Sequence, residues 1–259
     1  MKLYDNPLSP YAMKVRVTLY EKGLEFENHE VHFHSQRDAL LRVNPRGEVP
    51  ALQDGDAVIY DSRVICEYLE DKYPSPPLTP SDPAAKARCR QLETICDTQI
   101  DACALVIGLI KIFRPEMEAD HADALGQAAT ILGKHHANLD AELRGREYLL
   151  GEFSRADVAL IPHLGFTAFM GYPVDPKYTN LTGWMTRMNE RPSVQRALQE
   201  AMACFEASQA QPPAGEQPLF NPQNLHWRND RIEALIRVGL GPWLLEELAA
   251  GRAFFSPVP

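Results

Sequence analysis

Asn44-Pro45-Arg46-Gly47-Glu48-Val49-Pro50-Ala51-Leu52-Gln53-Asp54-Gly55-Asp56-Ala57-Val58-Ile59-Tyr60-Asp61-Ser62 is the stretch whose reading decides the fold. Residues 49–52 and 57–60 are short apolar runs of strand length. Asp54-Gly55 between them is a hairpin signal, since these two residue types accept the backbone geometry of a tight turn. Pro50 stands where a loop enters a strand that must be paired. It is either a cis proline, turning the Val49 N–H and C=O outward, or an ordinary trans proline opening an edge strand.

Outward from this hairpin the pattern alternates. Residues 2–5 read as a strand and 11–22 as a helix, with Met13, Val15, Val17, Leu19 and Tyr20 apolar and Gly23 as its stop. Residues 25–32 are a second strand and 38–43 a short helix or turn. After the hairpin, 61–72 form a helix with Val64, Ile65, Tyr68 and Leu69 on one face. The order is βαβ, a helix or turn, then ββα. Four prolines within residues 73–80 exclude a helix interior or a central strand and mark a linker.

Beyond residue 83 the strand signals vanish. Residues 84–113 carry one long helical pattern, broken by Pro115, and a second runs over 116–143. Ser154-Arg155-Ala156-Asp157 opens another helix as a capping box with Asp in place of Glu, and Phe153 and Val158 hold the staple positions. Two shorter helices follow near 181–190 and 194–205, with Pro192 at the start of the last. The Pro-rich stretch 209–223 leads to an extension with helical patterns at 231–237 and 243–250. The expected division is an α/β domain at 1–76, an all-α domain at 84–206, and a linker with helical extension at 207–259.

The 259 residues are 45% apolar and 24% charged, which fits a globular chain and excludes a collagen or a disulfide miniprotein. The 26 basic against 35 acidic residues include no Lys/Arg-rich run, so neither nucleic acid nor an anionic membrane surface is expected as partner. The start resembles no signal peptide, and the richest apolar run, 102–110, is cut off by Lys111 and Arg114. Five cysteines with no CxxC read as buried free thiols of a reducing cytoplasm. His32 and His34 alternate and His135-His136 are adjacent, so the histidines give no ligand spacing and no metal is expected.

Three joints carry candidate chemistry. Ser9-Pro10-Tyr11 lies where strand one gives way to helix one. A serine there is a normal cap before Pro at the first helical position. Its oxygen accepts from the backbone while its O–H remains able to donate to an anion held at the helix terminus. The cis-or-trans Pro50 is the second joint. Asp61-Ser62 is the third: Ser62 caps the following helix and leaves N–H groups for a carboxylate, and Asp61 can take an amino group.

The three joints fall in order on one βαβ–ββα unit. With Val15-Arg16, Glu21-Lys22-Gly23, Asn44 to Gly47, Val49 to Leu52, and Ile65, Glu67-Tyr68-Leu69, they make the first 80 residues resemble the thioredoxin-like glutathione-binding domain of the cytosolic glutathione S-transferases. The following helices, through Phe205, resemble that family's all-helical domain. The resemblance implies a serine-type bacterial member in which Ser9 hydrogen-bonds the glutathione sulfur. It implies that the backbone of Val49, before a cis Pro50, pairs with the cysteinyl unit. Asp61 and Ser62 would bind the γ-glutamyl group. His34, Ser35 or Arg37 lie in the loop expected to meet the glycyl carboxylate. Glu48 departs from the neutral or basic residue of many relatives and is expected to face solvent.

One serine is enough for the task the resemblance assigns it. Lowering a thiol pKa from ~8.5 by ~2 units requires about 2.7 kcal/mol. A hydrogen bond to a charged group supplies ~1.5–3 kcal/mol and a helix terminus ~0.3–1 kcal/mol. The co-substrate is then glutathione and the partner a small hydrophobic electrophile, held between the domains. Candidate pocket residues are Tyr11, Ile107, Lys111, Phe113, Phe166, Phe169 and Trp227, each of which is alternatively plain packing. Residues 19–26 and 61–73 are also similar to the bacterial lignin β-etherases, so ether cleavage or dehalogenation is the alternative reaction. Residues 61–80 are also similar to stringent starvation proteins, which implies a non-catalytic protein that binds RNA polymerase. The family resemblance implies a homodimer.

Overall fold

The computed structural model describes residues 1–31, 37–209 and 239–250. The chain forms two compact units, Met1–Phe220 and Asn221–Pro259.

The first unit opens with a four-stranded sheet in the order β2-β1-β3-β4, built from β1 (Lys2–Asp5), β2 (Glu27–Glu30), β3 (Ala51–Asp54) and β4 (Ala57–Tyr60). β1 pairs parallel with β2 and antiparallel with β3, and β3 pairs antiparallel with β4. Successive residues of a strand face opposite sides, and the core divides accordingly. Leu3 and Leu52 meet Val15 and Leu19 of α1 (Pro10–Glu21) and Ile65 and Leu69 of α3 (Ser62–Lys72) on one face. Tyr4 and Ala51 meet Leu40 of α2 (Arg37–Val43) on the other. The expected hairpin is present, and Gly55 at φ +62° supplies the backbone that a side chain would strain.

The remaining helices are α4 (Pro83–Ile95), α5 (Asp101–Gly108), α6 (Ala122–Glu142), α7 (Arg155–Phe169), α8 (Thr179–Glu190) and α9 (Pro192–Gln209). This is the expected thioredoxin-like α/β arrangement with an all-α part. The long helix expected over 84–113 is not uniform. Two π-helical turns, Cys96–Ile100 and Leu109–Phe113, flank α5. A π turn admits one residue too many for α geometry, and apolar periodicity alone does not register it. The second long helix begins later than expected, because a 3₁₀ turn, Pro115–Met117, precedes it.

Helix α7 is buried on every side from Arg155 to Leu164 and packs against both α1 and α4. The expected capping box forms at its start. Asp157 accepts from the Ser154 N–H at 2.9 Å and, from its other oxygen, holds the Leu149 N–H at 3.0 Å and the Trp184 indole at 2.8 Å. The Ser154 hydroxyl adds a fourth donor at 3.1 Å, and together these contacts partly offset the burial of this carboxylate, which lies fully inside.

In the second unit, α10 (Gly241–Ala249) matches the helical pattern expected near 243–250; the pattern at 231–237 lies outside the described residues. All five cysteines are free and buried. Among the described residues no helix is long and apolar enough to cross a membrane.

Candidate functional site

Ser9 caps α1. Its backbone is extended (φ −75°, ψ 122°), its Oγ accepts from the Ala12 N–H at 3.3 Å, and Pro10 begins the helix. The hydroxyl is half-buried and its own hydrogen is left for another acceptor. The loop that presents it is tied back twice. Ser9 N–H donates to the Asn6 carbonyl at 2.9 Å, and buried Arg16 donates from Nη2 to the Pro7 carbonyl at 2.9 Å.

Tyr11 is the rival hydroxyl on the same turn. Its O–H donates to the Asp97 carbonyl at 2.9 Å, and burial together with Asp101 and Asp97 pushes its pKa far up. It stays a phenol with its proton already committed. The two hydroxyls therefore have separate roles: Ser9 can donate to a ligand, and Tyr11 ties α1 to the helical part.

Val49–Pro50 is a cis peptide. Pro50 is buried, and no described residue takes the Val49 N–H or C=O in a hydrogen bond. The loop before it is held by Asn44, which donates from Nδ2 to the Glu48 carbonyl at 2.6 Å and accepts from the Arg46 N–H at 3.0 Å. The Glu48 carboxylate sits 2.8 Å from Arg46 Nε, so the acid at this departing position is paired with a neighbouring cation.

At the third joint the structure corrects the expected cap. Asp61, not Ser62, caps α3: its Oδ1 accepts from Arg63 N–H at 3.0 Å and Val64 N–H at 3.3 Å, while Ser62 is the buried first helical residue. Asp61 holds φ +73°, a left-handed backbone that Asp tolerates better than most residues. A short side chain that can fold onto its own following N–H groups is what such a corner selects. The carboxylate is exposed, with Arg46 Nη1 3.8 Å from Oδ2.

The expected pocket residues divide. Ile107 is fully buried in the helical core and offers no surface. Lys111 pairs with Glu118 at 2.6 Å. Phe166 is half-buried and lies against Gly108, where an added Cβ would come 3.4 Å from its ring. Phe169 is 51% exposed and meets Phe205 edge to face at 5.0 Å. The Phe113 side chain, His34, Ser35, the Arg37 side chain and Trp227 lie outside what is described.

The structure adds a polar cluster that spacing did not show. His163, fully buried on α7, has Nδ1 3.3 Å from Cys96 Sγ and Nε2 3.3 Å from Asp101 Oδ1, with the Tyr11 ring edge-on at 5.2 Å. Burial opposes charge on this imidazole, but Cys96 and Asp101 on its two nitrogens outweigh it and raise its pKa well above the usual value. Cys96, Asp97 and His163 place ligand-type atoms within 4.8 Å of one another. Both Asp97 oxygens, however, already accept from Lys14 Nζ at 2.7 Å, and a buried ammonium there competes with any cation. The one sequence signal for the cluster is Asp97 and Asp101, a helical turn apart just before the apolar run 102–110.

Two ionic contacts set the helical wall against α1 and α3. Lys14, 1% exposed, pairs with Asp97. Arg155 grips Glu93 in a buried fork, with Nε at 3.0 Å and Nη2 at 2.9 Å, and lies 3.7 Å from Glu67 of α3.

Comparison with known proteins agrees with this architecture. Residues 3–77 match the glutathione S-transferase N-terminal domain, and residues 103–192 match the glutathione S-transferase C-terminal domain. A stringent starvation protein A homolog of Coxiella burnetii is 30% identical over 206 residues, covering 78% of this chain and 92% of that protein. The crystal structure of β-etherase LigF from Sphingobium sp. is 30% identical, with a TM-score of 0.67 over 77% of this chain and 98% of that one. A glutathione transferase family member from Pseudomonas fluorescens, solved with two glutathione bound, is 26% identical, with a TM-score of 0.67 over 76% and 91% of the two chains. With both halves matched and the sheet, cap and cis proline in one frame, the chain belongs to the glutathione S-transferase family.

Proposed function

We propose that this protein is a glutathione transferase that binds glutathione across Ser9, Val49, Pro50, Asp61 and Ser62 and stabilises its thiolate through Ser9. The observation that carries the reading is the division of labour at the α1 terminus: Tyr11 has committed its O–H, and Ser9 accepts from the helix while keeping its O–H to give. The thiolate attacks the electrophilic carbon, the S–C bond forms, and the leaving group departs with the bonding pair. The thiol proton goes to water. Positioning supplies the rest of the rate. A polar backbone edge at Val49 and an acid at Asp61 suit the peptide and amino groups of glutathione.

The test is calorimetric titration with glutathione, beside Asp61→Ala, followed by turnover of Ser9→Ala. Binding by the wild type, weakening in Asp61→Ala and a turnover loss in Ser9→Ala support the reading. Full turnover by Ser9→Ala sinks the thiolate role.

The finer reaction is either conjugation of a small hydrophobic electrophile or cleavage of an aryl ether, which share the thiolate and differ in leaving group. The likeness to LigF supports the second. Assay of chloroarenes against aryl ethers separates them. The likeness to a stringent starvation protein A homolog supports a non-catalytic reading. Absence of glutathione binding by the folded protein, with RNA polymerase retained in pull-downs, would favour it. A homodimer of the cytoplasm completes the proposal. Val58, Tyr60 and Val64, exposed at 44%, 37% and 50% on β4 and α3, offer a second copy an apolar face, and sedimentation equilibrium checks it.

A further inference from the structure

We infer that Arg16 is a positioning residue of the thiolate site: from the interior, its guanidinium holds the Pro7 carbonyl and so sets where the Ser9 hydroxyl stands, with Asp5 and Glu200 keeping the guanidinium in place. The inference rests on the glutathione reading above and adds to that site a residue that acts only through Ser9.

The first observation is how little holds Ser9 locally. Its Oγ accepts from the Ala12 N–H at 3.3 Å, at the long end of such bonds, and its N–H donates to the Asn6 carbonyl at 2.9 Å. The rest must come through the loop Asn6-Pro7-Leu8. Asn6 donates to the Val31 carbonyl at 3.3 Å and accepts from the Leu8 N–H at 3.1 Å. Pro7 has no N–H to give, so its carbonyl is the backbone group by which the middle of the loop can be held. Arg16 Nη2 holds it at 2.9 Å.

The second observation is what Arg16 does with its other donors. The side chain is fully buried on the second turn of α1. The bond to Pro7 is its one hydrogen bond among the described residues, because Nε and Nη1 have no hydrogen-bond partner. Nη1 lies 3.3 Å from Asp5 Oδ2 and 3.5 Å from Glu200 Oε2, ion pairs without hydrogen-bond geometry. The two acids therefore site the cation, and the loop carbonyl receives its best-formed bond. A buried ion pair is often replaceable by apolar side chains without loss of stability, so packing alone does not ask for a guanidinium here. Holding the Pro7 carbonyl does, since it needs a donor.

The acids are themselves steadied. Tyr20 donates to Glu200 Oε1 at 2.6 Å, Arg196 Nε lies 3.3 Å from the same oxygen, and Asn28 donates to Asp5 at 3.2 Å. Glu30 and Cys204 are further titratable groups that bear on the cluster. Through one cation, α9 is linked to the loop that carries Ser9. A hydrogen bond to sulfur depends steeply on placement, and a misplacement of about 1 Å is enough to lose most of its effect.

The test reads the ionisation of bound glutathione, by ultraviolet absorbance of the thiolate against pH, on the full chain. In the wild type the thiol pKa should lie ~2 units below its ordinary ~8.5. Arg16→Lys keeps a cation beside Asp5 and Glu200 but loses the planar fork that reaches both the acids and the carbonyl. It should raise that pKa by about one unit, a tenfold change in the thiolate equilibrium, while glutathione affinity at pH 5.5, where the thiol is protonated, changes by less than about twofold. In the Ser9→Ala background the same substitution should leave the thiol pKa where Ser9→Ala alone puts it, since the two residues act as one unit. General loosening of the fold would instead weaken glutathione at every pH and act equally with and without Ser9. Glu200→Gln, at a side chain 30% exposed, serves if Arg16→Lys fails to fold, and should raise the pKa by about half a unit, again only with Ser9 present. An unmoved pKa in the folded variant, or an equal rise without Ser9, overturns the inference while the glutathione reading stands. A wild type that binds no glutathione, or binds it with an ordinary thiol pKa, removes the thiolate reading and this inference with it.

Discussion

The α/β part and the helical part that packs against it are built from different materials. On the α/β side the candidate groups are backbone features held by turn chemistry: the Ser9 cap, the Val49–Pro50 cis peptide and the Asp61 cap. On the helical side they are side chains held by buried charge: Lys14–Asp97, Glu93–Arg155 and the Cys96–His163–Asp101 chain. A side made of backbone can lose a side chain and keep its shape. A side made of paired charges cannot, because removing one partner strands the other in the interior. The contrast predicts that substitutions on the first side cost chiefly activity and those on the second chiefly stability.

The harshest challenge to this contrast is Arg155→Ala. It leaves Glu93, already raised in pKa by burial against the pull of Arg155, without its fork. The expected loss is about 3–5 kcal/mol in urea denaturation. Replacing both partners by Met should recover most of it, and a double variant as weak as the single one would refute the argument from stranded charge.

Next in size is a pH effect at another buried acid, Asp5. Burial raises Asp5 from 3.8 to about 6 against the pull of Arg16, and Asn28 donates to it at 3.2 Å. The folded chain therefore holds this proton more tightly than the unfolded chain. The sign follows: stability falls as pH rises from about 4 to about 6, by up to ~3 kcal/mol, and is level above that as far as Asp5 is concerned. Asp5→Asn should flatten that slope, measured as urea midpoints across the range.

The backbone side should respond in the opposite currency. Ser9→Ala should cost only about 1 kcal/mol of stability as a lost cap. Turnover should fall by about ten- to thirtyfold as the bound thiol reverts toward its ordinary pKa. Thiolate absorbance of bound glutathione against pH reads this directly. Asp61→Ala should weaken glutathione binding about tenfold and remove about 1 kcal/mol of stability. Asp61→Asn should retain the stability, since Asn both caps and accepts a left-handed backbone. The smallest expected effect is Gly108→Ala. Its Cβ would meet Phe166 at 3.4 Å, so stability should change by less than about 1 kcal/mol, while selectivity among electrophiles of different width shifts.

The same contrast explains what the sequence made legible. Turn chemistry is local, so Asp54-Gly55, the Pro-rich 73–80 stretch, Gly23 and the Ser154–Asp157 box could be read from neighbours. So could Ser9 before Pro10. The Asp61 cap was one residue away from the expectation, because both Asp and Ser are good caps and only the φ of +73° decides between them. Charge pairing is not local. His163 lies 67 residues from Cys96, and Lys14 lies 83 from Asp97. Lys14 and Arg16 are of residue types that are rarely interior, yet both are buried. The π turns were invisible for a further reason: an added residue displaces the apolar stripe without deleting it.

Those π turns also bear on how such a protein changes over generations. Because each is α-helix with a surplus residue, a one-residue deletion at either place restores regular geometry instead of breaking the rod. The segment Asp101–Gly108 would then swing by about 100° about its axis, the angle each helical residue subtends. A change of length at either place would make a coarse adjustment of the helical wall, one that substitutions at single positions cannot make, while the cap, the cis peptide and the hairpin on the opposite side would carry on untouched.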